Sequence, residues 1–236
     1  MAGTLYLIPC PIAECDDVWS VLPAANRTVM ASLDYFIVEN TRSARRFLAK
    51  AELGRPIDEL EFRELNEHTS PGREVEELVA PVVAGRSAGV ISEAGVPGVA
   101  DPGAWVVAAC HRHGIRVVPL VGPSSILLAM MASGLNGQSF AFNGYLPVKP
   151  DERARAVRAL ERRARAEHQA QLFIETPYRN VKLVEQLLQL CAPQTLLTIA
   201  LDLTGAAESV ATHSVAEWRR MPLPDLNKKP AIFILG

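Results

Sequence analysis

Short apolar runs bounded by turn residues alternate along this chain with longer stretches of helical periodicity. In the front half the runs are TLYLIP, YFIVE, AGVIS and IRVVPLV, and a further strand is expected just before LNEHTSP. The back half carries SFAFNGYL, AQLFIE, TLLTIALDLT and PAIFILG. Between them, TRSARRFLAKAEL, SPGREVEELVAPVVAGR, GAWVVAACHRHG, SSILLAMMASGL and RNVKLVEQLLQLC repeat their apolar positions every three to four residues, as amphipathic helices do. Ser70 reads as a cap before Pro71, and Gly114 as the stop of the third helix. Strand and helix in regular alternation predict an α/β fold with mostly parallel or mixed sheets. The first series ends near PLVGPSS, which divides the chain into two α/β lobes, residues 1–119 and 120–236, with a cleft expected at their junction.

Composition adds bounds to this picture. With 49% hydrophobic and 21% charged residues, the 236-residue chain has the makeup of an ordinary globular protein with a real core. Twenty-four basic against 26 acidic residues leave a net charge of -2, so any nucleic acid must be held by a local patch. The best candidate is ERARAVRALERRARAEH, which carries Arg153, Arg155, Arg158, Arg162, Arg163 and Arg165. Its charges spread over most of a helix circumference, which reads as a solvated helix; a rim that steers RNA is the sharper alternative. Cys10, Cys15, Cys110 and Cys191 form neither a paired CxxC pattern nor a disulfide framework, so reduced thiols, a cytoplasmic location and no metal site are expected. The N-terminal MAGTLYLIPCPIAECDD lacks the basic and apolar regions of a secretory leader, and the most apolar window, Val117 to Ala132, is broken by prolines, so no membrane span is expected.

The stretch VISEAGVPGVADPG stands at the carboxyl end of an expected strand, where α/β sheets hold their ligands. Gly95 and Gly98 let the main chain approach a ligand without Cβ interference, while Pro97 and Pro102 stiffen its path. Such a wall offers N–H and C=O groups to an amino acid or an adenine edge. No GxGxxG follows the first strand and no GxxxxGK[ST] occurs, which removes the usual dinucleotide and triphosphate cradles.

In order along the chain, GTLYLIPCPI, DYFIVENTRSARRFL, VISEAGVPGVADPG, VVPLVGPSSILLAMMASGL, FNGYLP and LFIETPYRN resemble the tetrapyrrole-methylase superfamily. The likeness runs through nearly the whole chain and is greatest to the bacterial ribosomal RNA small-subunit methyltransferase I group, which 2′-O-methylates a cytidine. It implies S-adenosyl-L-methionine in the interlobe cleft, a homodimer, and an RNA substrate in the small ribosomal subunit. It further implies that Ser92, Glu93, Ala94, Gly95, Val96, Val99, Ala100 and Asp101 hold the methionine part of the cofactor largely through main chain. Ser124 and Ser125 would lie close by, Glu175, Thr176 and Pro230 would border the adenosine, and Pro9 would line the floor. The chain reads as a short, divergent member: PCPIAE stands where the group has TPIGN, ENTR where it has EDTR, and SEAGVP where it has an SDAGTP-like form.

Methyl transfer from a sulfonium needs alignment and exclusion of water, and a weakly nucleophilic ribose hydroxyl gains from a nearby proton acceptor. Glu39, at the end of YFIV, is the first candidate base, and Arg42 would pair with it or hold a phosphate. His68 titrates in the useful range. Asn40 and Asn66 stand at expected strand ends beside the substrate, and Tyr178 and Arg179 would stack a base and contact a phosphate. Two alternatives remain open. A tetrapyrrole C-methyltransferase shares the cofactor loop but usually shows a GxGPGD-like turn, which IPCPIAECDD lacks; a non-catalytic S-adenosylmethionine-binding module would keep the seat without turnover.

Overall fold

The computed structural model describes residues 2–66 and 69–236, so His68 lies outside the described residues. The chain forms two compact units, Met1–Ser124 and Ser125–Gly236. Residues 120–124 stay with the first unit because they are tied to it. Leu120 N–H donates to Leu7 C=O (2.9 Å), and Asn26 Nδ2 donates to Val121 C=O (2.9 Å). Gly122 lies so close to Pro9 that a Cβ there would meet the ring at 2.2 Å.

The first unit runs β1 (Thr4–Ile8), α1 (Ala25–Ala31), β2 (Tyr35–Val38), α2 (Thr41–Lys50), β3 (Glu61–Glu64), α3 (Arg73–Val83), β4 (Ala88–Ile91), α4 (Gly103–Arg112) and β5 (Arg116–Pro119). Its five strands order as β3-β2-β4-β1-β5 and every pairing is parallel. β2 and β4 are buried at every position, as strands covered on both faces must be. Alternation sends Leu5, Tyr35, Ile37 and Val90 to the face covered by α3 and α4, and Ile8, Phe36, Val38 and Ile91 to the face covered by α1 and α2. The start of α3 departs from expectation. Gly72, at φ 123°, takes the capping position, and Ser70 instead donates its N–H to Glu74 (3.1 Å).

The second unit runs α5 (Ser125–Ser133), β6 (Phe140–Tyr145), α6 (Pro150–Glu167), β7 (Ala170–Ile174), α7 (Asn180–Leu190), β8 (Leu196–Leu201), β9 (Ser209–Ser214), α8 (Val215–Trp218) and β10 (Ala231–Leu235). Its sheet is mixed, ordered β6-β7-β10-β8-β9, with β6 and β7 parallel and the other pairs antiparallel. The run TLLTIALDLT stops at Leu201 because Asp202 (φ 45°) and Thr204 (φ 66°) turn left-handed, and the Asp202 carboxylate accepts from Ala207 N–H at 2.9 Å. β9 has no apolar alternation to announce it. Its Thr212 hydroxyl bonds Thr198 (2.8 Å) and donates to Ser133 C=O (2.8 Å).

α6 buries Arg153, Val157, Leu160 and Ala164, one residue in every turn of the same face. The charges outside that buried face still cover most of the helix circumference, as the sequence suggests, with one exception. Arg153 turns inward, while Arg155, Arg158, Arg162, Arg163 and Arg165 are exposed.

Phe173 on β7 and Phe233 on β10 stack at 6.0 Å between ring centroids, both fully buried at the centre of the second unit's core. Phe233→Ala is expected to cost about 3–5 kcal/mol in chemical denaturation, the range for emptying an aromatic site in a core.

Candidate functional site

All five strands of the first sheet run the same way, so Pro9, Glu39, Asn66 and Ser92 follow strands at one edge. Main-chain bonds fix how the loops meet there. Cys10 N–H donates to Gly95 C=O at 2.8 Å and Gly95 N–H returns to Cys10 C=O at 3.2 Å, stitching the loop after β4 to the end of β1. Gly95 sits at φ 71° and Gly98 at φ 83°, in the left-handed region that favours glycine. Asp101 closes the loop from inside: its carboxylate accepts from Gly98 N–H (2.9 Å) and from Gly103 N–H (2.7 Å) at the start of α4.

This wiring sorts the residues that sequence reasoning grouped in one cofactor seat. Gly95 and Asp101 hold the loop's own shape. Ser92 is buried, with its hydroxyl 3.4 Å from Ala94 C=O, and Pro9 is buried beneath Gly122. Ala94, Val99 and Ala100 are exposed and Val96 is half-buried. Within the described residues, the N–H groups of Ala94 and Val96 make no hydrogen bond and remain available as donors. Some of the expected residues therefore bond one another and so shape the loop, while others leave main-chain groups unbonded.

Glu39 follows β2, where its N–H donates to Ile91 C=O (3.1 Å) and its Oε2 accepts Glu93 N–H (3.1 Å). It binds the β4 loop and has a further interaction besides. Asn40 is the N-cap of α2, its Oδ1 accepting from Ser43 N–H at 3.1 Å, so this side chain stabilises a helix start. Arg42 is exposed in the first turn of α2 and makes no ion pair with a described residue. Asn66 is held to Thr69 by two hydrogen bonds of 3.0 Å.

Between the β1 loop and α2 lies a cavity of about 320 Å³. Its walls include Cys10, Cys15, Ser43, Arg46, Lys50 and Glu93. Glu93 accepts from the Ser43 hydroxyl (3.2 Å), and Lys50 donates to Cys15 C=O (2.8 Å). Burial, reinforced by the nearby Glu93 charge, pushes the Cys10 thiol far above its ordinary range, and burial raises Cys15 also. Both shifts favour the protonated thiol over the thiolate nucleophile. Sequence reasoning missed Ser43, Arg46 and Lys50. Their spacing on the non-apolar side of α2 was the available signal.

In the second unit, Glu175 and Thr176 follow β7, and the antiparallel pairing of Ile174 with Ile232 brings exposed Pro230 to the same end of the sheet. The Glu175 carboxylate is buried. Its Oε1 accepts from Arg179 Nη2 (2.6 Å), Arg179 Nε (3.0 Å) and Thr176 N–H (2.7 Å), and Arg153 Nη1 stands 4.0 Å from Oε2. Arg179 is thus committed to Glu175, while Tyr178 is 77% exposed. Arg153 was missed as a partner; its place in the apolar phase 153, 157, 160, 164 was the sign. Ser124 and Ser125 are half-buried, and their hydroxyls make no hydrogen bond within the described residues. No cluster of His, Cys, Asp and Glu suited to a metal ion occurs among the described residues, and no helix there is long and apolar enough to cross a membrane.

The fold and its glycine-bent loop define a class. Residues 20–218 match the family described as Tetrapyrrole (Corrin/Porphyrin) Methylases, and the chain belongs to that family of methyltransferases. Among curated relatives, it is 29% identical to the Ribosomal RNA small subunit methyltransferase I of Vibrio cholerae, over 99% of this chain and 76% of that protein. It is 33% identical to the protein of the same name from Mesorhizobium japonicum, over 89% of this chain and 67% of that one. Among solved structures it is similar in fold to the methyltransferase CobJ, with a TM-score of 0.63 at 18% identity, covering 100% of this chain and 94% of that one. The uroporphyrin-III-C-methyltransferase of Thermus thermophilus gives 0.57 at 20% identity, over 100% and 93% of the two chains.

Two outcomes follow. Asn40→Ala should cost about 1 kcal/mol of stability in urea titration, with Asn40→Asp near wild type, because either side chain can cap. Burial raises the Asp101 carboxyl above the usual aspartate range, although the Gly98 and Gly103 N–H groups pull the other way. Its ionisation therefore opposes folding: the cost is absent below the unfolded value of about 3.9 and is complete once pH has passed the folded one. Against Asp101→Asn, the wild type should gain relative stability in thermal melts as pH falls from 7 towards 4. Parallel pH curves would contradict this.

Proposed function

We propose that this protein is an S-adenosylmethionine-dependent methyltransferase that methylates a ribose 2′-hydroxyl of small-subunit ribosomal RNA. The observation that carries this reading is the β4 loop. It is bent by Gly95 and Gly98, anchored to Cys10, and carries unbonded N–H groups at Ala94 and Val96, while its first residues, Ser92 and Glu93, line a cavity large enough for a nucleoside. Family membership supports the cofactor, and the printed names of the relatives support the acceptor.

The residues present fit the cofactor. An amino acid carboxylate finds main-chain donors at Ala94 and Val96, and apart from Glu93 the exposed residues of the loop are the small Ala94, Val99 and Ala100. When bound, S-adenosylmethionine supplies a methyl group on a positively charged sulfur, ready for in-line displacement. The chain's own residues align and desolvate the acceptor. Arg46 and Lys50 place positive charge in the cavity wall for a nucleotide phosphate. The Glu93 carboxylate, oriented by Ser43, stands in the same wall and accepts the proton of the acceptor hydroxyl. Glu39 is a positioning residue: it grips Glu93 N–H and so sets where that carboxylate can reach.

The same reading makes the protein a cytoplasmic homodimer. Its four cysteines are free thiols. α5 is apolar on every side, and Leu127 and Met131, one turn apart, are 52% and 79% exposed, a face that a second copy would cover.

Calorimetric titration with S-adenosylmethionine, then transfer of labelled methyl to undermodified small ribosomal subunits, tests the function. Saturable binding and label in an alkali-resistant dinucleotide are expected; binding without transfer marks a non-catalytic module, and transfer to uroporphyrinogen III instead overturns the acceptor. Glu93→Gln should lower turnover about 100-fold or more, the scale of a general base, while cofactor affinity changes little. Leu127→Asp with Met131→Asp should halve the mass seen by light scattering.

A further inference from the structure

α6 holds a surface whose chemistry the cavity and loop do not use. At 3.6 residues per turn, Arg155, Arg158, Arg162 and Arg165 fall within about 80° of one another, on the side away from the buried Arg153, Val157, Leu160 and Ala164. All four are exposed, and none forms an ion pair with a described residue. The row extends over about 15 Å of helix.

Among the helix's acids, Asp151 shares the face of the row at its N-terminal end without an ion pair to a described residue, and the next two point elsewhere. Glu161 is turned aside, accepting Ala192 N–H at 2.7 Å and the Thr195 hydroxyl. Glu152 is paired with Lys149 at 3.3 Å near the first turn. Charge is also divided unevenly between the two units. The second carries 13 Lys and Arg against 10 Asp and Glu, whereas the first carries 11 against 16, so the near-neutral total conceals a basic second unit.

Like charges three and four residues apart destabilise a helix, and here no ion pair with a described residue returns the loss. The row is made of arginine throughout, with no lysine in it. Arginine grips phosphate oxygens through two parallel N–H bonds and sheds its hydration more readily than an ammonium does. A solvated helix has no need for either property.

We infer that the outward arginine row of α6 is a docking surface for the phosphate backbone of the RNA substrate. It positions the RNA without reading its bases, since backbone contacts fix register and carry no sequence information. The inference rests on the RNA reading of the function, and it adds where the RNA is gripped.

The test compares the full-length wild type with a variant carrying Arg155→Gln, Arg158→Gln, Arg162→Gln and Arg165→Gln. The probe is a fluorescent fragment of small-subunit ribosomal RNA, titrated at several salt concentrations. A second variant replaces the same four positions with lysine. Each phosphate contact adds about 0.7 to the slope of log affinity against log salt on single strands, so the glutamine variant should show a slope shallower by about 3. Its KM for small subunits should rise at least tenfold, with S-adenosylmethionine affinity and far-UV circular dichroism unchanged. The lysine variant should recover most of the slope and part of the affinity. Equal slopes and KM in wild type and glutamine variant overturn the docking surface while leaving the RNA reading intact. A wild type that binds S-adenosylmethionine but no RNA overturns both. Binding of the row to anionic vesicles in preference to RNA overturns the assignment of its partner.

Discussion

Two hydrogen bonds between Cys10 and Gly95 hold the end of β1 to the loop after β4, and the candidate site depends on them. A loop this rich in glycine has many conformations to lose, so its unbonded donors would be of little use without an anchor. The bridge supplies one from below. Asp101 supplies another from within by joining Gly98 and Gly103, and Glu39 a third from the neighbouring strand through Glu93. With these three points fixed, the intervening N–H groups of Ala94 and Val96 are preorganised, and a ligand binding there need not order them.

The same constraint explains the changed motif residues. Asn40, where the family pattern has an aspartate, still caps α2, a task both side chains perform. Glu93, longer than the aspartate it replaces, reaches Ser43 on α2 and so joins the loop to that helix. Both positions are wired into the framework of the first unit.

Much of the fold was legible in the sequence because its central strands are buried on both faces, which writes continuous apolar runs such as YFIV and AGVI. β9 was illegible because it sits at a sheet edge, where its main-chain ladder to β8 holds it and its polar residues, such as Thr212 bonded to Thr198, leave no apolar alternation. The inward turn of Arg153 was concealed for another reason: an arginine in the apolar phase of a helix looks like surface until its buried partner, Glu175, is known from the fold. At the candidate site, the sequence marks out the loop but cannot divide its residues into those with unbonded main-chain groups and those that bind one another. That division depends on long-range contacts, Cys10 with Gly95 and Glu39 with Glu93, which have no local signature.

The central claim is that the anchored loop presents its free main-chain N–H groups to the cofactor. Amide hydrogen exchange with and without saturating S-adenosylmethionine measures this directly. Peptides spanning residues 92–101 should gain protection at Ala94 and Val96, while Gly95 and Gly98, already bonded, should be slow in both states. Unchanged exchange at Ala94 and Val96 in the saturated protein would contradict the account.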